Sequence, residues 1–245
     1  MEPFTIQIAR LVTRVHPMFS STREYCRSYL SELAPEFDVV VTAQDLVREQ
    51  ELAELEAMEE GLRLRKFSDP FLERTVIQRK IARELLSRNT VLLHGSTVAV
   101  DGAAYLFTAP CGTGKSTHTR LWREALGDRA VMVNDDRAFL RISDDGVIAY
   151  GSPWSGKHGL DSNIALPLKG ICFLRRGPEN AICRAQGAEC IRELQHQCFL
   201  PEDTPGQDLA RTLVEQLSRQ AALWQMECTK DPAAARLAHQ AMSAV

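Results

Sequence analysis

The chain has 245 residues, 44% hydrophobic and 25% charged, the proportions of a folded protein rather than a disordered one. Its formal net charge of −3 argues against a protein that coats nucleic acid and directs attention to a small-molecule or protein substrate. No apolar run reaches the roughly 18 residues needed to span a bilayer, and residues 1–14 lack the basic start and apolar block of a secretory leader, so the expectation is a cytoplasmic protein with no membrane partner.

Residues 4–15 alternate apolar and polar side chains as one strand. A helix is expected over 20–33, with Ser20 or Ser21 as its cap, then a short β-branched strand over 37–42. An acidic helix over 45–62 follows, and its Glu-rich face reads as solvated surface. Residues 1–66 thus form a small N-terminal α/β extension without recognisable chemistry. It reads first as a structural cap, with substrate recognition or a homo-oligomer contact as alternatives.

The second domain is expected over 67–245. A helix over 69–88, with Pro70 in its first turn, leads into a strand over 90–93. Asp101-Gly102 between apolar runs at 98–100 and 104–108 is a hairpin signal. Next come a helix over 115–126 stopped by Gly127, a buried strand over 130–133, and strands over 139–142 and 147–150 joined across Asp144-Asp145-Gly146. A strand over 168–175 with 181–185 paired to it, a mostly helical stretch over 187–219, a strand over 223–228 and a helix over 232–242 complete the chain. Several hairpins inside an α/β chain predict a mixed rather than a purely parallel sheet.

The seven cysteines are scattered, with no Cys-x-x-Cys pair, so neither a disulfide framework nor a zinc site is expected. Cys111 stands apart because it lies in the most informative segment, Ala109-Pro110-Cys111-Gly112-Thr113-Gly114-Lys115-Ser116-Thr117, between a strand and a helix. A compact glycine loop before a helix can turn successive backbone N–H groups on the phosphates of a nucleotide. Gly112 and Gly114 allow the close approach, Lys115 would reach the β- and γ-phosphates, and the Ser116 hydroxyl would ligate Mg²⁺. Cys111, Thr113 and Thr117 complete the expected cradle, Thr117 as a further phosphate contact or only as a helix residue. Ala109 stands where the usual pattern has its first glycine.

The strand over 130–133 runs into Asn134-Asp135-Asp136-Arg137, about twenty residues beyond the loop. Ligands of open α/β sheets sit outside the carboxyl ends of strands, so both carboxylates can approach the metal and the γ-phosphate. Phosphoryl transfer uses one carboxylate for Mg²⁺ and often a second to orient or deprotonate the attacking hydroxyl. The glycine-rich stretch over 151–163 adds Lys157, to stabilise charge on the transferring group, and His158 and Asn163 as candidate acceptor contacts. Arg175 and Arg176 end a strand, either as a phosphate contact or as a solvated strand end.

His94-Gly95, the loop over 112–117 and Asn134-Asp135-Asp136-Arg137, in this order, resemble the bacterial HPr kinase/phosphorylase family, which is similar in core fold to the phosphoenolpyruvate carboxykinases. The resemblance covers about residues 90–185. It is greatest to HPr-kinase-like proteins that share a Gly-x-Pro-Trp-x-Gly-Lys segment, here Gly151 to Lys157. It implies an α/β fold with a P-loop-containing mixed sheet, an ATP- and Mg²⁺-dependent kinase, and a serine hydroxyl as acceptor. By resemblance Lys115 and Ser116 are the phosphate-loop pair, and of Asp135 and Asp136 one serves the substrate hydroxyl and the other the metal; Asp135 is taken as the base and Asp136 as the metal ligand, the reverse being the alternative. His94 is implied as an active-site histidine; from the residues alone it reads equally as a packed histidine at a strand end. No counterpart of the C-terminal motif used for the reverse reaction is present, so phosphorylase activity and HPr as substrate are not implied. The other readings are a carboxykinase-like small-molecule phosphotransferase and a nucleotide-dependent switch.

Overall fold

In the computed structural model, which describes residues 1–59, 61 and 63–244, the chain divides into two compact units, Met1–Glu84 and Leu85–Val245. In the first, β1 (Phe4–Ile8) and β2 (Leu11–His16) pair antiparallel, and β3 (Phe37–Val40) joins β2 in parallel. The single strand expected over 4–15 is therefore a hairpin. Ala9 and Arg10 take φ of 45° and 67°, the left-handed pair of a two-residue turn. Neither is a turn-forming residue type, which is why the alternation conceals the break.

The helix expected over 20–33 is shorter. α1 (Ser21–Tyr25) passes into a 3₁₀ turn at Arg27–Tyr29, and Ser20 makes no side-chain capping bond. α2 (Ala43–Glu59) starts on a reciprocal cap: Asp45 Oδ2 accepts from Thr42 N at 2.8 Å, and Thr42 Oγ1 accepts from Asp45 N at 3.2 Å. Its expected end at Leu62 lies outside the described residues.

α3 (Asp69–Leu86) contacts the first unit as far as Glu84, where the sequence suggests a boundary at 66/67. The cause is its polar face. Arg79 donates to Glu49 (2.9 Å) and Glu56 (2.7 Å), Lys80 to Asp45 (2.9 Å), and the buried Glu73 accepts from Met18 N and Thr22 Oγ1.

The second unit contains a nine-stranded mixed sheet among the described residues. Its strands are β4 (Thr90–His94), β5 (Ser96–Val100), β6 (Ala103–Thr108), β7 (Ala130–Asn134), β8 (Arg137–Ser143), β9 (Gly146–Tyr150), β10 (Ala165–Arg176), β11 (Ala181–Arg184) and β12 (Ala222–Cys228). The order is β4-β8-β9-β10-β6-β5-β7, with β12 on β10 and β11 on β12. β10 is the pivot: residues 165–167 pair antiparallel with β9, and its later part lies parallel to both β6 and β12. Because β6 and β12 occupy the two sides of that later part, β11 pairs with β12, not with β10 as expected from sequence.

Helices cover both faces. On one side α5 (Ala188–Gln197) and α6 (Thr204–Gln220) bury Leu194, Leu213 and Leu217 against Leu93, Leu106, Leu140 and Phe173. On the other, α4 (Lys115–Leu126) and α7 (Pro232–Ser243) bury Leu121, Trp122, Ala234 and Ala235 against Tyr105, Phe107 and Cys172. Adjacent residues of one strand therefore enter different cores, which explains why these strands read as continuous apolar runs rather than alternating ones. Each fully buried side chain of the size of Phe107 or Phe173 contributes about 2–3 kcal/mol relative to exposure.

His118 is packed into the α4 core at 2% exposure, its ring edge-on to Phe107 at 4.5 Å. Trp122 Nε1 donates to His118 Nε2 at 3.1 Å, so the ring proton sits on Nδ1, for which there is no partner among the described residues. Burial pushes the His118 pKa from 6.5 down to about 4. Between those values the unfolded chain holds a proton that the folded chain does not, so stability falls as pH drops through the window. From pH 7.5 to 5 this residue removes on the order of 2 kcal/mol. Urea unfolding at both pH values checks this: wild type is expected to lose about that much more than His118→Gln, whose amide does not titrate.

Candidate functional site

The segment between β6 and α4 turns twice through conformations that only glycine accepts without strain, with φ of 76° at Gly112 and 124° at Gly114. A Cβ at either would meet nothing within 4 Å, so backbone conformation, not crowding, demands glycine, and open space lies beside the loop. Thr113 N–H donates to Pro110 C=O at 3.3 Å and closes the turn. From the end of β10, Arg176 donates Nε to Thr113 C=O at 3.2 Å and Nη2 to Gly112 C=O. Lys115, only 8% exposed, donates its ammonium to Ala109 C=O at 2.8 Å, folded back along its own loop.

The sharp corner between β4 and β5 brings a second set of residues to the loop. Gly95 N–H donates to Asp136 C=O at 2.8 Å, and a Cβ there would meet Leu106 Cδ2 at 2.8 Å and Phe107 O at 2.9 Å. The corner therefore closes only on glycine, and it delivers His94 beside Asp136 and Ser96 beside Asp135. His94 Nε2 lies 3.6 Å from Asp136 Oδ1. Burial, with Lys115 and Arg137 nearby, pushes the His94 pKa down to about 3. The ring is thus neutral at physiological pH, and the contact is not an ion pair. Ser96 Oγ donates to Asp135 Oδ1 at 2.7 Å.

Asn134, completely buried, organises the turn carrying both acids. Its Oδ1 accepts from Asp136 N (2.9 Å) and Arg137 N (2.6 Å). Its Nδ2 donates to Ser152 O (2.9 Å), Ser152 Oγ (3.1 Å) and Trp154 O (3.2 Å). The stretch over 151–163 is laced to the same strand end by Ser162 N to Val133 O (3.2 Å) and Asp135 N to Leu160 O (3.1 Å). Gly156 packs on Asp136: a Cβ would stand 3.0 Å from the Asp136 Cβ. Burial raises the Asp136 carboxyl above its usual range, against the pull of Arg137 and Lys115 and with a push from Asp135.

These segments enclose a cavity of about 700 Å³. Its lining includes His94, Cys111, Gly112, Gly114, Lys115, Ser116, Thr117, Asp135, Asp136, Lys157 and His158, so the structure brings together most of the residues singled out in the sequence, without Asn163, Arg175 and Arg176. Thr113 is the exception in the loop, lining a separate hollow with Pro110, Leu174, Arg175 and Arg176. Arg175 is engaged bidentately by Glu193 at 3.1 and 2.9 Å. Sequence reading missed Arg120 and Arg123, which also line the cavity; they lie four and seven residues beyond Ser116, on one helix face, so the spacing carried the signal. It also missed Ser96 and Thr119, which only the packing of β5, β7 and α4 reveals.

The donor set suits a magnesium ion. Mg²⁺ is bound by one or two carboxylates together with substrate phosphates and waters rather than by an all-protein cage. Asp135, Asp136 and Ser116 line one cavity. No described helix is long and apolar enough to cross a membrane.

A scan against models of known protein families gives no match, and a search of curated proteins gives none. Among solved structures the chain is similar to the Hpr(Ser) kinase/phosphatase from Coxiella burnetii, at 14% identity and a TM-score of 0.29, over 51% of this chain and 93% of that one. At that TM-score the likeness assigns no activity or ligand, and the chemistry rests on the residues of the cavity.

Proposed function

We propose that this protein is an ATP- and Mg²⁺-dependent kinase that transfers the γ-phosphoryl group to a hydroxyl, with serine (free, in a peptide or in a protein) as the first candidate acceptor. The observation that carries the reading is the single cavity lined by the glycine loop, Lys115, Ser116 and both aspartates. In this reading the loop cradles the phosphates, and Lys115 leaves its Ala109 carbonyl for the β- and γ-phosphates. Ser116 and Asp136 would hold Mg²⁺, which neutralises phosphate charge. The acceptor oxygen bonds to the γ-phosphorus, the bond from that phosphorus to the β–γ bridging oxygen breaks, ADP leaves, and Asp135 takes the hydroxyl proton. Lys157 stabilises charge on the group in transit, and neutral His94 packs against Asp136.

Calorimetric titration of ATP with Mg²⁺, followed by transfer assays on seryl acceptors, tests this. Wild type is expected to bind MgATP saturably. Asp136→Asn is expected to lose most of the Mg²⁺-dependent gain in affinity, and Asp135→Asn to keep binding while transfer falls about 10²–10⁴-fold. Absence of nucleotide binding to wild type would overturn the proposal. Binding with no transfer to any hydroxyl would favour a nucleotide-dependent switch.

A further inference from the structure

Behind Asp135 lies a chain of three buried oxygens. Ser96 Oγ is 2.7 Å from Asp135 Oδ1 and 2.7 Å from Thr119 Oγ1, and Ser96 and Thr119 are at most 1% exposed. The chain is a product of tertiary register. β5 pairs with β7 at Thr97–Asn134, which sets Ser96 level with Asp135. Thr119 lies one helical turn after Lys115, on the same face of α4.

Hydrogen-bond chemistry orders the protons. A carboxylate only accepts, so the Ser96 proton goes to Asp135. Ser96 has no second proton, so the 2.7 Å bond to Thr119 must carry the threonine proton. The alternative acceptors of Thr119, the carbonyls of Lys115 and Ser116, are at 3.4 and 3.3 Å, long for a hydroxyl donor. The direction is therefore Thr119 to Ser96 to Asp135, and Oδ1 is the carboxylate oxygen that the chain holds.

We infer that Ser96 and Thr119 are positioning residues that fix the Asp135 carboxylate relative to the start of α4, and with it the spacing between the base and the phosphate loop. The inference rests on the kinase reading for its kinetic consequence, not for its geometry. Neither Ser96 nor Thr119 is among the residues lining the cavity; they act by holding one carboxylate oxygen and by tying β7 to the helix that carries Lys115 and Ser116.

The test uses the full chain with Thr119→Val, which keeps side-chain shape, Thr119→Ser, which keeps the hydroxyl, and Ser96→Ala. Thr119→Val is expected to lower kcat about 10–100-fold, the usual consequence of losing a group that orients an active-site ligand, with KM for nucleotide changed less than about threefold. Thr119→Ser restores kcat to within about threefold. In an Asp135→Asn background, Thr119→Val adds no further loss. A Thr119→Val enzyme with unchanged kcat, or a Thr119→Ser enzyme as slow as the valine variant, overturns the inference. The side-chain carboxyl ¹³C signal of Asp135, assigned through Asp135→Asn, supplies a readout without turnover. It is expected to move in Ser96→Ala and Thr119→Val and to return in Thr119→Ser. If wild type transfers no phosphoryl group, the kinase reading fails, and an unmoved carboxyl signal would separately sink the positioning role.

Discussion

Lys115→Met is expected to cost on the order of 10²–10³ in kcat, the effect of removing one charge-stabilising donor from a preorganised site, while the protein remains folded. The side chain lies at 8% exposure with its ammonium on the Ala109 carbonyl, in the same cavity as Asp135 and Asp136. Methionine preserves most of the volume and the helix propensity at the first position of α4, so little of the effect can arise from unfolding. What is lost is the one cation contributed by the loop itself. Arg120, Arg123 and Lys157 remain on the cavity wall and would sustain weaker nucleotide binding. Steady-state kinetics with a thermal melt of each protein separates the effects. A variant that melts like wild type and turns over like wild type would remove Lys115 from the mechanism.

The cavity was legible to the extent that its chemistry is written in short motifs. The glycine loop, the paired aspartates and Lys157 stand out because glycine next to lysine and serine, or two acids at the end of an apolar run, have few purely structural reasons to occur together. Ser96, Thr119 and the central part played by Asn134 were not legible for the opposite reason. Serine, threonine and asparagine are common in any strand, helix or turn, and their meaning here depends on which strand lies beside which. The turns divide in the same way. Asp101-Gly102 announces its hairpin because both residues favour the left-handed region, with φ of 51° and 81°. Ala9-Arg10 makes the same kind of turn with residues that do not favour it, so the tertiary contacts of β1 and β2 impose the conformation. Strand 181–184 is legible as an element but its neighbour is not, since nothing local tells it that β12 lies between it and β10.

Asn134→Ala is expected to be the most destabilising single change at the site, by on the order of 4 kcal/mol or more. One completely buried side chain bonds five polar atoms: Asp136 N and Arg137 N donate to Oδ1, and the two Nδ2 protons are shared among Ser152 O, Ser152 Oγ and Trp154 O. Alanine leaves two backbone donors on the aspartate turn without their acceptor and the 152–154 backbone without its donor. Each stranded group costs about 1–3 kcal/mol, and several at once reach the range reserved for broken buried networks. Asn134→Asp does not repair the loss. It keeps an acceptor for the two N–H groups, but it faces the Ser152 and Trp154 carbonyls with an oxygen and adds a third carboxylate beside Asp135 and Asp136. Urea unfolding of the two variants against wild type checks the magnitude, and a loss below about 1 kcal/mol for alanine would mean that water takes over the bonds. Because the same side chain ties the 151–163 stretch to the aspartates, the prediction extends to function. Conditions in which Asn134→Ala is still folded should find its transfer rate reduced more than its nucleotide affinity, since Arg176 and Pro110 support the phosphate loop without Asn134, whereas the turn carrying the acids loses the acceptor of Asp136 N and Arg137 N.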